Sequence, residues 1–364
     1  PEEDFIWEGP FGDHTGFFSL ADWYPKFHVT CITHKKQAVY PATVVGIPPM
    51  EDAWIARATE RIFLTPIKLT MVPELTNMNI PDAGVAHNLT LISFEKTFPG
   101  QAQKIMSSLW GAGQMMFNKM MVSFDKDINI NDYKLAARIL SENVDPETDI
   151  SFIKGPLDIL DHSSSKFAFG SKAGIDATKK YEEEILDEKP NIGISFLKID
   201  IDSIKKNNPE IKEINDQLLK DGISVLFISI TKEVKDHVKQ VGRKILEEED
   251  VKLVKFLIFV DHPVNVFDVE QATWIFAGNI EPLRDCHIVS PEKDGEPSHL
   301  IIDGTRKRAD IDNFKRDWPD IVTSDEETIQ KVDSRWQEYG IGEFIPSPSK
   351  KYKALVLSKT AVVE

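Results

Sequence analysis

From residue 87 onward the chain alternates two spacings of apolar residues. Short apolar runs, "HNLTLISF" and "KMMVSFD", alternate with stretches apolar at helical spacing, "PGQAQKIMSSLW" and "NDYKLAARILSENV". Strand, helix, strand, helix in that order predicts a layered α/β arrangement. Upstream, residues 27–46 ("FHVTCITHKKQAVYPATVVG") predict two strands joined at "KKQA", both rich in β-branched residues. The period changes again at "IPPMEDAWIARATERIFLTPIKL". There Pro48 and Pro49 precede a helix whose first turn carries Glu51 and Asp52, where carboxylates meet the positive end of the dipole. The last apolar stretch, "YKALVLSKTAVV" at 352–363, predicts a strand that either pairs within its own sheet or offers an edge to a partner.

The pattern repeats. With a constant offset of 136, residues 88–149 lie over residues 224–285 without a gap. Ser93, Lys96, Lys119, Asp125, Asn143, Pro146 and Asp149 fall on Ser229, Lys232, Lys255, Asp261, Asn279, Pro282 and Asp285. The apolar face Phe98, Ala102, Ile105 and Leu109 falls on Val234, Val238, Val241 and Ile245. Two units are too few for a solenoid, so a duplicated α/β domain is expected. "DEKPN" at 187–191 is the expected linker.

Composition narrows the function classes. The 364 residues carry a formal net charge of −16, which gives nucleic-acid binding no electrostatic support. Cys31 and Cys286 are too few for a disulfide framework, and no apolar run is long enough for a membrane span, so a cytoplasmic location is expected. The Asn88-Leu-Thr90 sequon lies in a strand-like stretch and reads as chance.

Candidate chemistry concentrates at the start of the chain. In "EGPFGDHTG" (8–16), three glycines and a proline force a tight turn that holds Glu8, Asp13 and His14. A carboxylate beside another carboxylate, or beside a desolvated substrate, has its pKa raised and can donate a proton. The alternative is an Asx-type turn with surface carboxylates.

"EGPFGDHTG" at 8–16, "FHVTCITHKKQAVYPATVVGIPPMEDA" at 27–53, "GQMMFNKMMVSFDKDINI" at 113–130, "NVDPETD" at 143–149 and "FGSKAGIDATKK" at 169–180 together resemble the UbiD family of reversible non-oxidative decarboxylases. The resemblance covers residues 1–185 in the family's order. It implies prenylated flavin mononucleotide as cofactor, with a divalent metal (Mn or Mg) on its phosphate and an electron sink in its ring. It implies that Glu8 belongs to the acid/base network, that Asp13 protonates the carbon vacated by CO2, and that His14 orients Asp13 or binds a phenolic hydroxyl. Lys119 resembles a contact to the flavin phosphate, with a solvated strand-edge lysine as the alternative. "GSKAGIDAT" resembles a mobile glycine-rich segment that would bring Lys172 to the cofactor. Residues 50–53 are an expected part of the substrate pocket wall.

The family keeps its metal ligands and catalytic arginine upstream of the "EGP" turn, so the resemblance implies that residues 1–364 are the C-terminal part of the enzyme. The expected fold is two related three-layer α/β domains in tandem (61–186 and 187–364), preceded by a β remnant of a split-barrel flavin-binding domain (1–60). The later copy has no "GPFGDH", and its counterpart of "GSKAGIDATKK" is the weaker "HLIIDGTRKR". It is therefore expected to be non-catalytic and to serve subunit contacts in a homo-oligomer. Expected partners are the upstream half and an aromatic acid, either a 4-hydroxybenzoate bearing a polyprenyl chain or a naphthoate of quinone biosynthesis. Residues 1–364 alone are expected to hold neither flavin nor metal and to be inactive, with no metal ligand among them. The competing expectation is a non-catalytic assembly module of the same descent.

Overall fold

The computed structural model describes residues 4–185, 198–291 and 296–363; the expected linker at 187–191 lies outside them. Two compact units form, one from residues 1–54 with 317–364 and one from residues 55–316. These bounds differ from the expected boundaries at 60 and 187, because the last 48 residues join the first unit rather than the second α/β copy.

In chain order, β1 (Phe5–Glu8) pairs antiparallel with β2 (Asp22–Pro25), and helix α1 spans Glu51–Thr70. The first sheet follows: β3 (Leu75–Asn79), β4 (Leu89–Phe94), α2 (Gln101–Trp110), β5 (Met120–Asp125), α3 (Tyr133–Asn143), β6 (Ile150–Pro156) and β7 (Phe169–Asp176). Its strand order is β3-β4-β5-β7-β6, parallel across β4, β5 and β7 with an antiparallel strand at each edge. After α4 (Ile201–Asn207) come β8 (Ile211–Asn215), α5 (Gln217–Lys220), β9 (Val225–Ile230), α6 (His237–Leu246), β10 (Phe256–Asp261), α7 (Val269–Asn279), α8 (Pro282–Asp285), β11 (Cys286–Val289) and β12 (His299–Asp303). The second sheet has the order β8-β9-β10-β12-β11, with the same parallel centre and antiparallel edges. Even the edge irregularity recurs, between Leu75 and Asn77 and again between Ile211 and Glu213. Finally β13 (Trp318–Pro319) pairs with β14 (Val362–Val363).

The central strands read as nearly continuous apolar runs because helices and loops cover them: all six residues of β9, and five of six in β4, β5 and β10, are buried. Ala102, Ile105 and Leu109 of α2 pack into one core, and Val238, Val241 and Ile245 of α6 into the other. Phe98 and Val234, the first members of the expected faces, precede the helices and are exposed. Asp132 and Asp268, also 136 apart, cap α3 and α7 by accepting the N–H of Leu135 and of Gln271.

Within this unit the two sheets and their helices contact each other reciprocally. Lys119, before β5, donates to the carbonyls of Gly278 and Ile280 at the end of α7. Lys255, before β10, donates to those of Ser141 and Val144 at the end of α3. Asn88 Nδ2 donates to the Ala277 carbonyl, and the Ser224 N–H to Ser141 Oγ. Ser171 Oγ bonds Glu281 and the Leu283 N–H, while Ser298 Oγ bonds Asp145 and the Glu147 N–H. Residue i meets j′ wherever j meets i′, the pattern of an isologous interface between two subunits, here within one chain.

Two expectations fail. Residues 27–45 form no strand, and Phe27, Val29, Ile32, Val39 and Tyr40 are exposed. Strands exist only with partners, and β1 and β2, the neighbouring strands in sequence, pair with each other. Of the expected strand at 352–363, only Val362 and Val363 pair, within their own unit; residues 348–355 form a 3₁₀ turn opened by Pro348.

Candidate active site

The turn after β1 is built by its own polar groups. Phe11 N–H donates to Ser19 Oγ at 3.0 Å, Ser19 N–H to the Phe11 carbonyl at 2.9 Å, and Gly16 N–H to the Asp13 carbonyl at 3.1 Å. This closes residues 11–19 into a loop and buries Asp13, which is 5% exposed. Asp13 Oδ1 lies 2.9 Å from His14 Nδ1, and Oδ2 accepts the Thr15 N–H at 3.2 Å. Glu8 stands at the exposed end of β1 opposite Asp22. Of the three expected residues, the structure joins Asp13 and His14 directly.

The charge state of Asp13 differs from the expectation. Burial alone would raise its pKa, but the hydrogen bond and charge of His14, together with the Thr15 N–H, hold it below the usual 3.8. The shift favours the ionised form of Asp13, with His14 Nδ1 against its Oδ1. The carboxylate pushed upward is Asp52, in the first turn of α1, whose Oδ1 is buried without a hydrogen-bond partner among the described residues. Burial is the main cause, and both His14 and Asp13 are coupled to it by charge. Asp52 therefore extends the cluster to the helix start expected to wall the pocket.

Lys119 and Lys172 lie in the second unit and are corrected. Lys119 is 1% exposed; its ammonium meets Asp161 at 2.7 Å, Ser163 Oγ at 3.0 Å, Ile280 O at 3.0 Å and Gly278 O at 3.3 Å. An ammonium has three protons, and these four acceptors take them all. It is neither a phosphate contact nor a solvated edge residue. Asp161, which burial pushes up, is held far below the usual range by the Lys119 ammonium.

"GSKAGIDAT" is no mobile loop either, since Phe169–Asp176 is strand β7 at the interior of the first sheet. Its glycines serve close packing: a Cβ at Gly174 would sit 2.8 Å from Met106 Sδ and 2.9 Å from the Trp110 ring. Lys172 donates to the Met116 and Asn118 carbonyls at 2.5 and 2.8 Å, and burial lowers its pKa to about 8. Both ammonium groups have internal partners in this fold. Among the described residues no group of three or more His, Cys, Asp or Glu could hold a metal ion.

The segment after β7 is matched in the second copy more closely than its sequence suggested. Lys180 binds the Asp176 and Thr178 carbonyls and faces Asp149, and Lys307 binds the Asp303 and Thr305 carbonyls and faces Asp285. Asp125 accepts the Lys179 N–H, and Asp261 the Arg306 N–H. "IDATKK" and "IDGTRK" are one buried network in two places, with an offset of 127.

Comparison with known sequences shows the family. Residues 1–48 match the 3-octaprenyl-4-hydroxybenzoate carboxy-lyase Rift-related domain, and residues 53–177 and 193–298 match the C-terminal domain of that carboxy-lyase. The chain belongs to the UbiD family. An uncharacterized protein from Archaeoglobus fulgidus is 47% identical over 178 residues, 49% of this chain and 37% of its own length. One from Helicobacter pylori is 31% identical over 331 residues, 89% of this chain and 50% of its own. The chain thus spans half or less of the length of these relatives.

Among solved structures, the vanillic acid decarboxylase of Sedimentibacter hydroxybenzoicus aligns at 23% identity with a TM-score of 0.46, covering 57% of this chain and 43% of that one. The UbiD-class enzyme HmfF of Pelotomaculum thermopropionicum, in complex with FMN, aligns at 25% and 0.40, covering 56% and 44%. No helix among the described residues is long and apolar enough to cross a membrane.

Proposed function

We propose that this UbiD-family chain supplies the proton-delivering part of a non-oxidative decarboxylase of aromatic acids. The observation that carries the reading is the buried Asp13 carboxylate held 2.9 Å from His14 on the "EGPFGDHTG" turn. When the bond to the substrate carboxylate breaks, CO2 leaves and the electron pair stays on the ring carbon. A proton passes from the Asp13–His14 pair to that carbon, and water restores the proton to the pair. His14 fixes the orientation of the Asp13 carboxyl, and the surrounding closed loop keeps it dry. Glu8, exposed at the end of β1, serves the same network from outside the turn.

Prenylated flavin and a divalent metal (Mn or Mg) belong to this reading, the flavin ring supplying an electron sink when bound. The substrate we favour is a 4-hydroxybenzoate, with or without a polyprenyl chain, as in quinone biosynthesis, and the setting is the cytoplasm. The test is CO2 release by the full-length protein, loaded with cofactor, from 4-hydroxybenzoate, its prenylated form and a naphthoate. Release from none of them, with flavin bound, overturns the substrate class.

For residues 198–316 we propose a duplicated, non-catalytic domain that takes the place of a partner subunit within the chain. The reciprocal contacts of Lys119 and Lys255 support this. A protease site placed in residues 187–191 tests it: the cut halves should stay associated on gel filtration, and their separation would refute the reading.

A further inference from the structure

The segment that supports the proton-delivering turn comes from the far end of the sequence. Phe18 N–H donates to the Asp320 carbonyl at 2.9 Å, Val322 N–H donates to the Gly16 carbonyl at 2.8 Å, and Phe17 bridges Ile321 between them. The side chain of Val322 lies on the turn itself. A Cβ at Gly12 would meet Val322 Cγ1 at 3.0 Å, and one at Gly46 would meet it at 3.6 Å.

Residues 318–322 are themselves fixed. Asp320 is buried, its Oδ1 accepts the Ile321 N–H, and its Oδ2 accepts the N–H groups of Leu357 and Ser358. The Asp320 N–H donates to the Ala361 carbonyl, and Trp318 pairs with Val363. A strap of residues 317–363, anchored on itself, is thus hydrogen-bonded along the turn that presents Asp13 and His14.

We propose that this C-terminal strap is a positioning element for proton delivery, with Val322 the residue that sets where the Asp13 turn sits. The proposal rests on the reading of Asp13 given above. It assigns a catalytic duty to chain that lies beyond both α/β copies, and it makes the turn dependent on residues some 300 positions downstream. Val322 acts through Gly12 and touches no substrate in this account. A displacement on the order of 1 Å of a reacting group costs about 10²-fold in rate, so small changes at this contact are readable in turnover.

The test is a double-mutant cycle in the full-length, cofactor-loaded protein with Gly12→Ala, Val322→Ala and the pair. Gly12 has no positive φ, so alanine is strained there only by Val322. Gly12→Ala is expected to lower kcat by roughly 10- to 100-fold with KM and bound flavin unchanged. Adding Val322→Ala removes the obstructing methyl and is expected to restore kcat to within about threefold of the Val322→Ala single variant.

Hydrogen exchange of peptides covering residues 15–19 provides a readout independent of activity: Val322→Ala alone should speed exchange there and leave β4 and β5 unchanged. Rescue absent from the double variant, or exchange at 15–19 unaffected by Val322→Ala, overturns the proposal. Asp13→Asn made alongside separates the two readings. If it retains turnover, the role of Asp13 falls, while exchange at 15–19 still decides whether the strap holds the turn.

Discussion

Replacing Lys119 with methionine separates a buried structural cation from a cofactor contact. Methionine keeps most of the length and apolar stem but removes the charge, leaving the Asp161 carboxylate buried beside Ser163 without its ion-pair partner. Both side chains of the pair are 1–2% exposed, so the stranded carboxylate cannot recover its hydration. Losing one partner of such a pair costs about 3–5 kcal/mol. Lys255→Met removes the reciprocal contacts, which include bonds to the Ser141 and Val144 carbonyls. Its expected cost is about 1–3 kcal/mol.

The assay is thermal denaturation of residues 1–364, following the transition of the α/β unit by circular dichroism. In thermal melts a unit of this size shifts by about 2–4 °C per kcal/mol, so Lys119→Met should melt roughly 6–20 °C lower. Lys119→Met with Asp161→Leu removes both charges and should recover most of the loss. An unchanged melt for Lys119→Met, accompanied by loss of flavin from the full-length protein, would refute the reasoning and return Lys119 to the cofactor.

Lys172, with its pKa lowered from 10.5 to about 8, gives a pH signature. Between those values the unfolded chain binds the extra proton, so the folded state gains stability as pH rises, by up to about 1.4 kcal/mol per pH unit; Lys172→Met should flatten that slope in denaturation series at pH 8–10. Asp13 has the opposite sense: its lowered pKa contributes stability that is present above pH 3.8 and lost as pH falls through the folded value, so Asp13→Asn should weaken the acid-side dependence of unfolding. Gly174→Ala would force a Cβ to 2.8 Å from Met106 and 2.9 Å from Trp110, and should destabilise the α/β unit by about 1–3 kcal/mol in the same denaturation assay.

Periodicity carried the α/β units well. The strands and helices from 89 to 143 fall where apolar spacing placed them, because each is covered by its own neighbours in sequence. At the 136-residue offset Asp132 and Asp268 both cap helices, and Lys119 and Lys255 both donate to carbonyls at a helix end. What the offset could not convey was that the lysines point across to the other copy, because reciprocity belongs to the packing and not to either repeat alone. Glycines misled: in "GSKAGIDAT" their small size admits Met106 and Trp110, and a one-dimensional reading takes the same residues for flexibility. The strap was illegible for a different reason. Val322 and Gly12 are more than 300 residues apart, and neither residue type announces a contact. The "EGPFGDHTG" turn is legible as a turn because its glycines, proline and polar residues are adjacent in sequence. Its electrostatics were not, since the Thr15 N–H and the direction of His14 set the charge of Asp13.

The most direct measurement is decarboxylation of an accepted aromatic acid in D2O by the full-length, flavin-loaded protein and its Asp13→Asn variant. The wild type should release CO2 and place one deuterium on the carbon that bore it. Asp13→Asn should bind the same flavin and lose on the order of 10²–10⁴-fold in both CO2 release and deuterium incorporation, the contribution of a positioned general acid. Deuterated product formed by Asp13→Asn at more than roughly a tenth of the wild-type rate would contradict the assignment of proton delivery to this turn.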